Sequence, residues 1–190
     1  MLEIVRGHTR NDVVARLLAE KLMRMDLTGT LYLGYPVLAT ADEKIEVDAL
    51  LVSREHGLVA FILSNSCPKP DDRMAWKVLL DEQDKLYFAI KNMLSRHKDL
   101  RVGRDLALEI NTMIIFPMST QCPEEFICLY CELDHLPEKI KTLPNLDEKT
   151  LKPLQAALQR VSTIKPIKKR ANVKKDTSRG ALLKQIEQEI

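Results

Sequence analysis

The sequence predicts an α+β fold, or an α/β fold with a mixed sheet and a restriction-endonuclease-like arrangement of helices around it. Three observations predict it. Helical and strand periodicities alternate along the chain, the segment Leu58–Leu63 is almost unbroken apolar, and 190 residues give room for one domain and a tail.

The elements follow in order. Asn11–Arg24 places Val13, Val14, Leu17, Leu18 and Leu22 on one side and Arg16, Glu20 and Arg24 on another, which is the spacing of an amphipathic helix, with Asn11 or Asp12 as its cap. After the Thr28-Gly29 turn, Thr30–Val37 reads as a strand rich in aromatic and apolar residues. Lys44–Ser53 reads as a second strand, with Ile45, Val47, Ala49 and Leu51 on one side. Arg54-Glu55-His56-Gly57 is a hairpin turn, and Leu58–Leu63 has the composition of a strand covered on both faces. Cys67–Arg73, with two prolines and two aspartates, is a loop. Met74–His97 then carries Trp76, Leu79, Leu80, Leu86, Tyr87, Ile90 and Leu94 at helical spacing. Leu106–Phe116 and Glu125–Glu132 complete the strands, and Leu151, Leu154, Leu158 and Val161 make Glu148–Val161 a further helix.

These elements assign residues 1–162 to one domain. Residues 163–177, poor in large apolar groups and rich in lysine, read as a basic linker, and 178–190 as the start of a helix leading into a downstream domain. The overall charge of +2 hides a gradient. From Lys165 onward eight basic residues face three acidic ones, a net +5, so residues 1–164 sum to −3. Lys168, Lys169, Arg170, Lys174 and Lys175 form a cluster suited either to a solvated spacer or to a polyanion contact. Composition, 45% apolar and 29% charged, excludes a wholly disordered or collagenous chain. No apolar run approaches the roughly 18 residues of a membrane span, and Glu3, Arg6 and Arg10 interrupt the amino terminus where a signal peptide has an apolar core. The expectation is a cytoplasmic protein with no membrane partner.

Asp48 is the first candidate for chemistry, because it sits among apolar strand neighbours. A carboxylate there is costly unless hydrogen bonds or a cation satisfy it or the strand edge leaves it in water. Glu46-Val47-Asp48-Ala49-Leu50-Leu51-Val52-Ser53 followed by Gly57-Leu58-Val59-Ala60-Phe61-Ile62 resembles the central hairpin of the nuclease-related (NERD) domain, a branch of the PD-(D/E)XK nuclease superfamily. Asn11-Asp12-Val13-Val14-Ala15-Arg16-Leu17-Leu18 resembles that family's first helix, and Gln83-Asp84-Lys85-Leu86-Tyr87 is similar to the Gln-x-x-x-Tyr helix motif of related exonucleases. The resemblance spans about residues 10–116. It implies a metal aspartate at Asp48 holding Mg²⁺ or Mn²⁺, an acidic partner at Asp12, and DNA contacts from Gln83, Lys85 and Tyr87. It also implies an attached superfamily-one helicase or ATPase, since Ser178–Glu187 resembles the segment leading into such a motor.

One departure governs the functional expectation. Where the family carries Glu-x-Lys, this chain has Ile62-x-Ser64, removing both a metal ligand and a cation that stabilises the transition state. The first reading is therefore a DNA-binding or docking domain with a degenerate catalytic site. A second is an active metal-dependent nuclease using Asp12, Asp48 and a lysine relocated from the second helix or the loop before it, with Lys85 and Lys69 as candidates and Asp71, Asp72, Asp81 and Glu82 as nearby carboxylates. A third is a protein-interaction domain without nucleic-acid binding. No phosphate-cradling Gly-x-x-x-x-Gly-Lys loop occurs, so ATP chemistry belongs to any downstream domain. Cys122, Cys128, Cys131 and His135 have the ligand types of a zinc site, but residues three apart on a strand point to opposite faces, which sets Cys128 against Cys131. His8, His56 and His97 are scattered and read as surface residues.

Overall fold

A computed structural model describes residues 1–39, 44–118 and 130–162. The chain runs β1 (Leu2–Arg6), α1 (Asp12–Met23), β2 (Gly29–Leu33), β3 (Val37–Ala39), β4 (Lys44–Glu46), β5 (Ala49–Ser53), β6 (Gly57–Leu63), α2 (Arg73–Leu94), β7 (Arg101–Val102), β8 (Asp105–Leu106), β9 (Ile110–Phe116), β10 (Tyr130–Glu132), α3 (Leu136–Lys141) and α4 (Glu148–Ser162). The fold is mixed α+β. Six strands make one sheet in the order β1-β2-β5-β6-β9-β10, and β3-β4 and β7-β8 are separate hairpins. Within the sheet β2, β5 and β6 are antiparallel neighbours, whereas β1 lies parallel to β2, and β9 parallel to both β6 and β10.

Each face of the sheet buries its own apolar layer. On one, Tyr32, Leu50, Leu58 and Phe116 meet Trp76, Leu86 and Ile90 of α2 and Leu154 and Leu158 of α4. On the other, Leu31, Leu51, Val59 and Phe61 meet Val14, Leu18 and Leu22 of α1 and Leu136 and Ile140 of α3. With strands on both sides and a layer on both faces, all seven residues of β6 are buried, as its unbroken apolar run requires. Each such large side chain contributes about 1.5–3 kcal/mol by burial.

Several elements depart from the sequence reading. The stretch read as one strand over Thr30–Val37 ends at Gly34, whose φ of +62° turns the chain, and a cis Tyr35–Pro36 bond precedes β3. Lys44–Ser53 is likewise two strands, broken at Val47-Asp48. The break inverts the alternation, so Val47 packs in the α2 layer while Ala49 and Leu51 pack in the α1 layer. Leu106–Phe116 resolves into the end of the β7-β8 hairpin and then β9. Of Glu125–Glu132, only Tyr130–Glu132 falls among the described residues, and the linker, the basic cluster and the terminal helical pattern lie outside them. Among the described residues, no helix is long and apolar enough to cross a membrane.

The strand directions place the site. Leu33 pairs with Ala49 and Ala49 with Phe61, so the carboxyl ends of β2 and β6 and the amino end of β5 share one edge. Helix α1 follows β1, and α2 follows β6; both chain segments leave from that same edge, yet they cover opposite faces of the sheet. Connections that diverge in this way leave a crevice beyond the carboxyl ends of the strands, the usual ligand position in open sheets.

Candidate functional site

Two glycines build the crevice. Gly7 N–H donates to Leu33 O at 2.7 Å, and Gly34 N–H donates to Asp48 O at 2.8 Å, so the β1–α1 loop crosses the β2–β3 turn beside Asp48. A Cβ on Gly7 would stand 2.7 Å from Gly34 O, and one on Gly34 would collide with His8 O. Only residues without side chains permit that crossing. It brings Arg10 over the start of β5, with its Nε 3.8 Å from both Asp48 Oδ1 and Glu46 Oε2 and its Nη2 donating to Glu46 O at 3.5 Å.

Asp48 is held from the other side by β6, where Leu63 N–H donates to Oδ2 at 3.0 Å. The carbonyl of Leu63 accepts from Asn11 Nδ2, and Asn65 Nδ2 donates to Asn11 Oδ1 at 2.6 Å. Burial pushes the Asp48 carboxyl above the ordinary aspartate range; the Leu63 N–H and the Arg10 charge oppose that shift, and the Glu46 charge adds to it. Glu46 moves the opposite way, below its usual range, chiefly through the hydrogen bond and charge of Lys44, whose Nζ donates to Oε1 at 2.9 Å. Around these groups lies a cleft of about 180 Å³, closed by Phe61 and Ile62 of β6 and by Glu82, Lys85 and Leu86 of α2.

The structure therefore brings Asp48, Glu82 and Lys85 to one cleft and adds Arg10 and Glu46, which the sequence reading had not placed there. Asp12 does not share the cleft. It opens α1, exposed, and accepts from the Thr9 hydroxyl; because successive helix positions turn by about 100°, the inward turn of Asn11 carries Asp12 outward. Asn11 is the cap position, but its side chain is spent on β6 rather than on the helix N–H groups. Gln83 does not offer its amide to a ligand either. It is buried against the sheet and donates from Nε2 to Thr112 O at 3.1 Å, because the face it shares with Leu86 and Ile90 is the core face of α2. Tyr87 is half-buried, stacked edge-on against Phe88 at 5.3 Å. Asp81 lines a neighbouring groove rather than the cleft, and Asp72 caps α2 by accepting from Ala75 N–H at 3.1 Å. Ile62 lines the cleft wall, and Ser64 turns away to donate to Ser66 O at 2.7 Å. Lys168, Lys169, Arg170, Lys174 and Lys175 lie outside the described residues.

The donors present do not fit a resident Mg²⁺. That cation needs near-octahedral oxygens, whereas one Asp48 oxygen serves Leu63, the other faces a guanidinium, and Glu46 is engaged by Lys44 and Arg10. Among the described residues, no group of three or more His, Cys, Asp or Glu side chains is arranged to hold a metal. Cys131, from the cysteine cluster, is buried against Met113 with Sγ 3.5 Å from Sδ, and burial pushes its thiol up to about 12; His135 pairs with Glu132 at 3.3 Å, and Cys122 and Cys128 lie outside the described residues. Comparison with protein families, curated proteins and solved structures finds no match.

Proposed function

We propose that this chain is a nuclease-related DNA-binding domain of degenerate catalytic site, engaging a DNA strand at the Asp48 cleft without cutting it and serving a helicase or ATPase of the same protein in cytoplasmic DNA processing. The observation that carries the reading is the pairing at the cleft. Asp48 stands where the resemblance places the metal aspartate, yet Ile62 replaces its glutamate partner and Arg10 supplies a cation from within the protein. A domain so arranged retains cationic groups for phosphate contact, which supply most non-specific affinity, while lacking the ligand set for metal-assisted hydrolysis.

One observation favours a second reading: Glu82 and Lys85 line the same cleft as Asp48, so α2 offers a carboxylate and a relocated lysine to a working nuclease needing Mg²⁺ or Mn²⁺. Incubation of labelled single- and double-stranded DNA with the full chain, with divalent cation or EDTA, separates these. The expected result is a salt-sensitive gel shift without cutting, unchanged by EDTA. Cutting abolished by Asp48→Ala and by Lys85→Ala would establish the second reading, and neither shift nor cutting would leave a protein-interaction domain.

A further inference from the structure

Helix α2 carries an exposed stripe that the core does not use. Met74, Val78, Asp81, Lys85 and Phe88 follow one another by steps of three and four residues and so line one side of the helix. Met74 and Val78 are exposed, and so is Phe88, to 57%, although it is a large apolar ring. Beside Phe88 and Ala89, Ile45 of β4 walls a groove of about 480 Å³ whose charged lining is Asp81, Asp84 and Lys85. An apolar floor flanked by two carboxylates and one lysine suits an amphipathic helix that carries a cation on its apolar side.

The same chain holds such a pattern. Residues 178–190 lie outside the described residues, and their sequence puts Leu182, Leu183, Ile186 and Ile190 at helical spacing, with Arg179 on the same side one turn before Leu182 and Leu183. The described fold also ends near the groove. α4 covers the same face of the sheet as α2, and close to its carboxyl end Leu158 O accepts from the Tyr35 hydroxyl at 2.7 Å. Tyr35 stands just before the β3-β4 hairpin, in which Leu38 pairs with Ile45, the residue that walls the groove. The way from α4 to the groove runs across that hairpin, and residues 163–177 span up to about 50 Å when extended.

We infer that the α2 groove is the docking site of residues 178–190 of this same chain, with Leu182, Leu183 and Ile186 along Phe88, Ala89 and Ile45, and Arg179 against Asp81 and Asp84. The inference is independent of the nucleic-acid reading. Arg179 and Ile186 are two helical turns apart, as are Asp81 and Phe88, so a segment running parallel to α2 makes the charged and the apolar contact in one register. A tether of this length gives an effective concentration in the millimolar range, so the chain's own segment outcompetes that of another copy. The consequence is a clasp: seating 178–190 on α2 loops the lysine-rich stretch 163–177 back over the β3-β4 side of the body.

Photo-cross-linking of the full chain with benzoylphenylalanine in place of Phe88 tests this. The expected product is a monomer whose cross-linked peptide falls within 178–190. Leu183→Glu should weaken docking by about tenfold or more, as when a leucine can no longer be buried, and remove most of the product. Asp81→Arg should weaken it by about 2- to 5-fold, and adding Arg179→Asp should restore it, a recovery that general attraction between the basic stretch and the body would not give. Asp81 and Phe88 are exposed, so circular dichroism of those variants should match the parent. A chain that yields no cross-link to 178–190 would overturn the clasp. A product joining two differently isotope-labelled chains would assign the groove to a second copy and overturn it as well, and failure of Arg179→Asp to rescue Asp81→Arg would overturn the stated register.

Discussion

Burial makes the charged form of Asp48 costly to the fold. Its folded carboxyl takes up a proton more readily than an unfolded one, so ionisation at neutral pH costs folding free energy, and that cost fades as pH falls through the raised value toward the ordinary aspartate range. Asp48→Asn keeps an oxygen for the Leu63 N–H and removes the charge. We expect it to stabilise the domain at pH 7 by about 0.5–1 kcal/mol, as relief of strain at functional sites commonly does, with the gain vanishing near pH 4. Thermal melts of both forms across that range check it; a gain that grows on acidification would contradict the burial of the charge. Gly34 carries the opposite expectation. Its φ of +62° and the His8 carbonyl behind it make Gly34→Ala costly by about 2 kcal/mol or more, and because the crossing positions Arg10, DNA affinity should fall along with the melting temperature. Asp48 was legible in the sequence because a lone carboxylate in an apolar strand is conspicuous. Arg10 and Asn11 were not, since a glycine crossing brings them in and leaves no spacing along the chain.

At the level of elements, regular periodicity was readable and interruption was not. The first helix, the β5-β6 hairpin and α2 each carry enough repeats to declare themselves, and each stands within a few residues of its expected bounds. β1 offered only Leu2 and Ile4 as inward positions, β7-β8 and α3 are too short for a period, and Val47-Asp48 reverses an alternation that looks continuous when written out. That reversal is what frees Asp48 from the sheet to face the crevice. α2 is also the element on which the cleft depends, since it supplies Glu82, Lys85 and Leu86 from one side while Gln83 and Leu86 tie it to the sheet. Its amino end is fixed by the Asp72 cap and by Trp76, fully buried with Nε1 donating to Lys69 O at 3.0 Å. Asp72→Ala should cost about 1 kcal/mol and leave DNA affinity nearly unchanged, whereas Trp76→Ala should cost about 3–5 kcal/mol. Denaturant titrations give both values; equal costs would mean that the packing of Trp76 contributes little beyond the helix start.

Across the whole molecule, charge is divided between a body summing to −3 over residues 1–164 and a stretch of net +5 beyond it. The cleft itself balances Arg10, Lys44 and Lys85 against Glu46, Asp48 and Glu82, so it can orient a strand but supplies little long-range attraction. On the proposed DNA-binding reading, sustained affinity for a polyanion would draw on the basic cluster, with the cleft placing the strand. Replacing Lys168, Lys169, Arg170, Lys174 and Lys175 together by glutamine removes five positive charges while leaving the sheet and both apolar layers untouched. If all five meet phosphates of a single strand, the slope of log affinity against log salt should become shallower by about 3.5, and affinity at low salt should fall by orders of magnitude. The melting temperature should not move. A slope unchanged by the five substitutions would make the basic stretch a spacer and return the whole of the affinity to the body, where Arg10, Lys44 and Lys85 line the cleft.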